Sequence, residues 1–343
     1  MYHPVDPTAG LIIIADDLTG ALDASAPFAT ATTAVSVATS SNALPAALDR
    51  GTPVVAVSTR SRDITPDQAA ARIHQVLANL DTDRRLFKKI DSRLKGQLAA
   101  ELAALPPGPL LVLPAIPVFG RVVRNGGICG FGVTEPIPIR PRLGLRGAGA
   151  IIPDTESDAD IAEALASAPS DAVLIGARGL GVVLAQSWGG ISAVPAPLSG
   201  RIAVAVGSTD PITLAQLAPL AAQGIPISPA PDGFYDGTVP AGDIVILQAT
   251  PGTGGMTEAE VAATFARSFI PFSRDRDCLL LTGGATAEAV LDALGVGVLT
   301  IEGELLPGLP LSRAGPWRIV TKSGGFGEPD TLNRLFEHLQ AMR

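Results

Sequence analysis

Asp16-Asp17 closes the apolar run Ile12-Ile13-Ile14-Ala15 and is followed at once by Leu18-Thr19-Gly20-Ala21. A buried strand ending in two carboxylates, then a Thr-Gly helix start, delivers acids to the carboxyl edge of a sheet, where open α/β proteins bind ligands. A carboxylate placed there can accept hydrogen bonds from substrate hydroxyls, act as general base, or hold Mg2+. Helix capping accounts for one aspartate but not for both. After a second apolar run comes Thr59-Arg60-Ser61-Arg62. Two arginines on a strand-end loop can grip a carboxylate bidentately, or simply stay solvated.

The cations are distributed unevenly. Of 25 lysines and arginines only four are lysines: Lys88, Lys89, Lys95 and Lys322. A compact ammonium does work that a planar guanidinium cannot, so scarce lysines gathered in two motifs point to anion chemistry. In Lys88-Lys89-Ile90-Asp91-Ser92, strand alternation puts Lys89 and Asp91 on one side and Lys88 on the other. A Lys/Asp pair facing a cleft can bind an anion and orient a hydroxyl; on an open surface it would be a weak ion pair. Pro114-Ala115-Ile116-Pro117-Val118-Phe119-Gly120-Arg121, with Asn125-Gly126-Gly127 after it, forms a stiff loop from which Arg121 either reaches a ligand or completes a turn.

The second half repeats one design three times: Gly207-Ser208-Thr209-Asp210, then Gly283-Gly284-Ala285-Thr286, then Lys322-Ser323-Gly324-Gly325-Phe326-Gly327. Each follows an apolar run. Glycines let main-chain N–H groups approach phosphate oxygens, and a following helix N-terminus favours negative charge. None is a Walker A loop or a GxGxxG fingerprint. Three such loops at strand ends of one domain point to a nucleotide.

The elements needed to position these motifs follow from the hydrophobic pattern. Apolar runs predict strands over 11–15, 53–58, 86–90, 110–113 and 172–175, then 202–206, 243–248, 279–282, 298–301 and 318–321. Helices are expected over 22–30, 65–79, 98–104, 159–166, 213–223, 258–268, 287–294 and 330–341. Thr65 is read as an N-cap with Pro66 at the first helical position. Between Phe119 and Pro153 periodicity fades among Gly and Pro, as in a long loop or small irregular subdomain. The class is α/β, with two α/β domains whose sheets are mainly parallel. The Pro195–Gly200 punctuation places the boundary at 1–197 and 198–343.

Composition removes other classes. Apolar residues make up 47% of the chain, and the formal net charge is −8. No basic stripe with interleaved aromatics offers a nucleic-acid surface. Cys129 and Cys278 form no CxxC pair; Cys278 reads as a core thiol. His3, His74 and His338 lie in unrelated contexts, so neither a His-based triad nor a metal cluster is expected. No apolar run approaches the roughly 20 residues that span a membrane. A soluble, cytoplasmic protein with no nucleic-acid or membrane partner is expected. The oligomeric state, a homo-oligomer included, is left open.

Taken in order, these motifs resemble the four-carbon acid sugar kinase family. The resemblance runs from residue 11 to about 332. It rests on Ala15-Asp16-Asp17-Leu18-Thr19-Gly20-Ala21 with Asp23, Ser61-Arg62, Lys88-Lys89-Ile90-Asp91-Ser92, and Pro114-Ala115 with Gly120-Arg121 and Asn125-Gly126. Gly207-Ser208 with Thr213 and Gln216, Gly283-Gly284 with Thr286, Glu304 with Pro307-Gly308, and the Lys322–Gly327 loop complete it. The resemblance implies a sugar-acid-binding N-terminal domain, a nucleotide-binding C-terminal domain, and an active site in the cleft between them. ATP and Mg2+ would be the cofactors, and a sugar acid such as threonate, erythronate or a 3-oxo-tetronate the substrate. Carried across, Asp16, Asp17, Arg62, Lys88, Lys89, Ile90, Asp91, Ser92 and Arg121 would contact substrate, with Asp17, Asp91 and Lys89 catalytic. Ser208, Gly283, Gly284, Ala285, Thr286, Lys322, Ser323, Gly324, Gly325 and Gly327 would contact nucleotide. Metal ligands stay unassigned.

Three departures accompany the resemblance. Lys95 stands where the family commonly has arginine, and Ala285 where an acid is common. The stretch from Glu135 to Asp154 compresses a longer passage. A catalytically weakened member that binds nucleotide or sugar acid as a sensor is therefore the alternative. A dinucleotide-dependent oxidoreductase is disfavoured for want of a GxGxxG after a strand.

Overall fold

The structure, a computed structural model, describes residues 10–80, 84–189 and 192–340, with side chains up to 336. His3, the side chain of His338 and the last residue of the helix expected over 330–341 lie outside what it describes. The chain divides into two compact units, one ending at Ala193 and the other starting at Val194. This lies a few residues before the 197/198 boundary read from the sequence.

The first unit is organised by β1 (Leu11–Ala15), β2 (Val35–Ala38), β3 (Val54–Ser58), β4 (Arg85–Lys89) and β5 (Leu110–Leu113). After a small antiparallel group, β6 (Arg121–Arg124), β7 (Gly127–Gly130) and β8 (Ile137–Pro138), the chain returns for β9 (Val173–Gly176). The order β2-β3-β1-β4-β9-β5 is parallel throughout. Every residue of β1 and β3 is buried. That is why both read as unbroken apolar runs: a parallel strand is covered on both faces. All six strands point the same way, so Ala15, Ser58 and Lys89 end side by side, paired in register.

Helices α1 (Leu18–Ser25), α2 (Leu44–Leu48), α3 (Pro66–Leu77), α4 (Leu98–Ala104), α5 (Ile139–Arg142), α6 (Asp158–Ser167) and α7 (Arg178–Ser187) connect these strands. The helix expected over 22–30 starts earlier, at Leu18, because Asp17 accepts the Gly20 amide at 2.8 Å and caps it; a 3-10 turn over Ala26–Phe28 ends it. α3 begins as expected, with Thr65 and Gln68 forming a capping box and Pro66 in the first turn. The aperiodic 119–153 stretch holds the β6–β8 sheet and α5. β2 and α7 were not expected. β2 is the short, small-residue run Val-Ser-Val-Ala, which carries little hydrophobic signal although all four residues are buried.

In the second unit, β10 (Ile202–Val206), β11 (Ile227–Pro231), β12 (Ile244–Thr250), β13 (Cys278–Thr282), β14 (Val298–Leu306), β15 (Leu309–Ala314) and β16 (Trp317–Lys322) alternate with α8 (Pro211–Ala222), α9 (Glu258–Ser273), α10 (Gly284–Ala293) and α11 (Thr331–Gln340). The order is β11-β12-β10-β13-β16-β15-β14. It is parallel from β11 to β16, with β15 antiparallel to both β16 and β14. β11 escaped prediction because Pro229 and Pro231 cannot donate to a ladder; it is tolerated where the strand has β12 alone as neighbour. β14 is longer than the expected 298–301, since it forms a hairpin with β15. Val204, Val206, Ile246, Leu280, Leu311, Val320 and Phe336 pack in the core. Cys278 is buried there, its thiol pushed up to about 12 by that burial. Among the described residues, no helix is long and apolar enough to cross a membrane.

Candidate functional site

At the carboxyl ends of β1 and β4 the side chains form a charged knot. Arg62 grips Asp16 with two donors, Nε to Oδ2 at 2.8 Å and Nη2 to Oδ1 at 3.0 Å, and reaches Asp17 Oδ2 through Nη1 at 2.7 Å. Asp17 also accepts from Thr19 Oγ1 and the Gly20 amide, both at 2.8 Å. Asp16 is 2% exposed. Burial pushes its carboxyl up, but Arg62, Lys88 and Lys89 outweigh that and hold it below the usual carboxylate range. Burial acts against the Arg62 charge, yet Asp17 and Asp16 raise that guanidinium well above its ordinary value. Arg62 is thus occupied by protein carboxylates rather than held open as a clamp. Gly96, in the left-handed region at φ 90°, lets its loop close over this knot: a Cβ there would lie 3.1 Å from Asp16 Oδ2.

The two adjacent lysines differ completely. Lys88, expected to touch substrate, has no exposed surface; its Nζ lies 3.1 Å from Glu101 Oε2 and donates to the Lys89 carbonyl at 3.2 Å. Glu101 also receives Ser61 Oγ at 2.6 Å, and that hydroxyl is 2.6 Å from Thr59 Oγ1. Lys88 therefore braces the floor beneath the loops. Lys89 is 5% exposed and, among the described residues, its Nζ forms no hydrogen bond or salt bridge. A Cβ added at Gly20 would sit 3.0 Å from that Nζ and 2.5 Å from Asp17 Oδ1, which places the ammonium against the start of α1. A nearly buried ammonium with no hydrogen bond costs free energy that an anionic ligand would offset.

Beyond Lys89 the chain leaves the sheet. Asp91 Oδ1 accepts the Arg93 amide at 2.9 Å and the Lys95 amide at 3.3 Å, shaping the 91–96 loop, while its Oδ2 has no hydrogen-bond partner among the described residues. Ile90 is buried and contributes packing. Arg121, from β6, donates to Ser92 Oγ at 2.6 Å and twice to the Phe131 carbonyl, at 3.0 and 2.8 Å. It ties the small sheet to the loop. Desolvation and the nearby Arg93 lower its guanidinium from the ordinary value, and Asp91 acts against them. Lys95 is exposed.

The second unit gathers glycine loops instead of charges. A Cβ at Gly207 would fall 1.8 Å from Thr286 Oγ1, one at Gly324 2.3 Å from Ser208 Oγ, and one at Gly283 3.5 Å from Ser208 Cβ. The loops after β10, β13 and β16 are thus packed against one another, and side chains at these glycines would separate them. α10 has Gly283 as its N-cap with no side-chain cap bond, and its first amides, at Gly284, Ala285 and Thr286, donate to nothing among the described residues. Ala285, the departure from the family pattern, is exposed at that start, and its amide needs no particular side chain. Lys322 does not project from its loop: it is fully buried and donates to Thr213 Oγ1 at 3.0 Å and to the Ser323 and Gly324 carbonyls at 3.1 and 3.3 Å.

Among the described residues no group of three or more His, Cys, Asp or Glu could hold a metal by itself. Mg2+ usually takes one or two carboxylates together with substrate phosphates. Asp210 fits that pattern. One oxygen caps α8 through the Ile212 amide at 2.9 Å, and the other lies 3.1 Å from where a Gly325 Cβ would be, beside the glycine loops. Sequence reasoning gave no role of their own to Asp210 and Gly96, which lie within its motifs, and missed Glu101. A counterion for Lys88, had its burial been foreseen, is the signal that could have led to Glu101.

Two family models match the chain: one described as a sugar-binding N-terminal domain over residues 11–137, the other as a nucleotide-binding C-terminal domain over 246–332. The chain is 30% identical to a D-threonate kinase of Cupriavidus necator, covering 97% of this chain and 98% of that one. It is 30% identical to a D-threonate kinase of Bordetella bronchiseptica (96% and 98% covered), and 26% to a 3-oxo-tetronate kinase of Methylobacterium radiotolerans (94% and 98%). The Cupriavidus alignment spans 419 positions against 343 residues here, so that relative carries sequence with no counterpart in this chain. In fold, the chain is similar to a Salmonella typhimurium protein described as a putative tRNA synthase, with a TM-score of 0.73 at 18% identity, covering 97% of this chain and all of that one. It is also similar to the Haemophilus influenzae protein HI1011, with a TM-score of 0.65 at 19% identity and the same coverage.

Proposed function

The chain belongs to the four-carbon acid sugar kinase family, and from that premise we propose that it transfers the γ-phosphate of ATP to a hydroxyl of a four-carbon sugar acid. The observation that carries this reading is Lys89. It is a nearly buried ammonium that forms no hydrogen bond or salt bridge among the described residues, set against two carboxylates already bonded to Arg62. A small anion bearing hydroxyls suits that environment: its carboxylate answers Lys89, and its hydroxyls meet Asp17 and Asp91.

Phosphoryl transfer asks a protein mainly for positioning and charge stabilisation. Asp17 spends both oxygens on Gly20, Thr19 and Arg62, so it orients. Asp91 keeps Oδ2 free among the described residues and is the better group to accept the proton of the attacking hydroxyl. The amides after Gly283 and Lys322 receive the phosphate oxygens. Mg2+ bound with the triphosphate would neutralise its charge, with Asp210 as the nearby carboxylate.

The test is incubation with ATP and Mg2+ against D-threonate, erythronate and 3-oxo-tetronates, reading ADP release and a new phosphate ester by phosphorus NMR. Turnover with at least one acid is expected. Saturable ATP binding without turnover on any acid would overturn the kinase reading in favour of a binding-only protein.

A further inference from the structure

Lys322 is a lysine beside a glycine loop, the setting in which an ammonium commonly touches phosphate, yet its contacts point the other way. Its Nζ donates to the carbonyls of Ser323 and Gly324, and Thr213 Oγ1, which it also bonds, donates to the same Gly324 carbonyl at 2.6 Å. One turn further along α8, Gln216 Nε2 takes the carbonyls of Phe326 at 3.2 Å and Glu328 at 2.8 Å. Four carbonyls of this loop are thus drawn to one side. The amides of Ser323, Gly324, Gly325 and Gly327 donate to nothing among the described residues.

We propose that Lys322 is the positioning residue of an anion-binding loop: with Thr213 and Gln216 it gathers the carbonyls inward and so leaves four amides to phosphate oxygens, without touching the phosphate itself. This rests on the nucleotide reading above and adds a regulation to it. The gathering needs all three protons of the ammonium; a neutral amine would turn a lone pair on one of its three oxygens. Burial pushes Lys322 down to about 8. The charge of Asp210, which caps the start of α8, acts upward on it. Thr213 and Gln216 from α8, and Thr282 paired to it on β13, are uncharged. The proton is therefore lost in a range where phosphate oxygens stay ionised.

The experiment is calorimetric titration of the full chain with ATP and Mg2+ from about pH 7 to about pH 9.5, with Lys322→Met and Thr213→Val alongside. In the unsubstituted protein, affinity should hold to about pH 7.5 and then fall towards tenfold per pH unit, the slope of one linked proton. Lys322→Met should bind at least about tenfold more weakly at pH 7 with a flat profile, having no proton to lose. Thr213→Val keeps the charge but removes an acceptor, so its inflection should move to lower pH; it serves if Lys322→Met does not fold. A flat profile in the unsubstituted protein, or a Thr213→Val profile that coincides with it, overturns the proposal while leaving nucleotide binding intact. No binding at any pH overturns the nucleotide reading itself.

Discussion

Around β1 and β4 the groups suited to an anion are side chains: an ammonium at Lys89 and a carboxylate oxygen at Asp91 that form no hydrogen bond or salt bridge among the described residues, above a floor in which one Arg62 holds both Asp16 and Asp17. Around β10, β13 and β16 they are main-chain amides without hydrogen-bond partners among the described residues, on three loops that glycines let pack within a methyl group's width of one another. Both ends use the carboxyl edge of a parallel sheet. They differ in what can break them. A site made of side chains fails when a charge is removed; one made of backbone fails when volume is added.

The sharpest break would come beneath the first site. Lys88→Met leaves Glu101 buried without its cation, and about 3–5 kcal/mol of stability should be lost in urea unfolding. Pairing it with Glu101→Leu should recover much of that loss. If Lys88→Met instead left stability intact and abolished acid binding, the division between bracing and binding lysines would be wrong.

Next in size is Lys89→Met, expected to lower kcat/KM for the sugar acid by roughly 30- to 5000-fold, the worth of a desolvated charge pair at about 2–5 kcal/mol. ATP affinity measured by calorimetry should stay within about twofold. A fall in ATP affinity would show that the two ends are not chemically separate.

Gly324→Ala tests the other half of the comparison. Its Cβ would meet Ser208 Oγ at 2.3 Å, so nucleotide affinity should weaken by about 1–3 kcal/mol while the KM for the acid holds. Adding Ser208→Gly should restore room and much of the binding; if it does not, crowding is not the cause. The smallest effect lies far from both ends. Thr65→Ala removes the cap of α3, and a loss of about 1 kcal/mol in thermal unfolding, with kinetics unchanged, marks what a purely local contact is worth here.

Much of the first site was legible because it depends on local rules. An apolar run followed by Asp16-Asp17 announces a strand end, alternation separates Lys89 from Lys88, and Thr65-Pro66 announces a helix start. Partners were not legible. Arg62 reads as a clamp for a ligand until the fold shows it gripping Asp16, which lies far away in sequence. Lys322 reads as a phosphate ligand until α8 is seen supplying Thr213 and Gln216 behind it. β11 was hidden by its own prolines, whose cost disappears on a strand with one neighbour.

The sequence by itself determined where chemistry would gather: two buried-strand patterns put acids and lysines at one set of carboxyl ends and glycines at another, since strand period and glycine freedom act within a few residues. Only the tertiary structure decided which of those groups are spent on the protein and which remain for a ligand. Pairing depends on what distant elements bring within 3 Å, and burial turns each such pairing into a requirement. That is why two lysines adjacent in sequence, Lys88 and Lys89, ended in opposite settings, one bonded to Glu101 and the other with no hydrogen bond among the described residues.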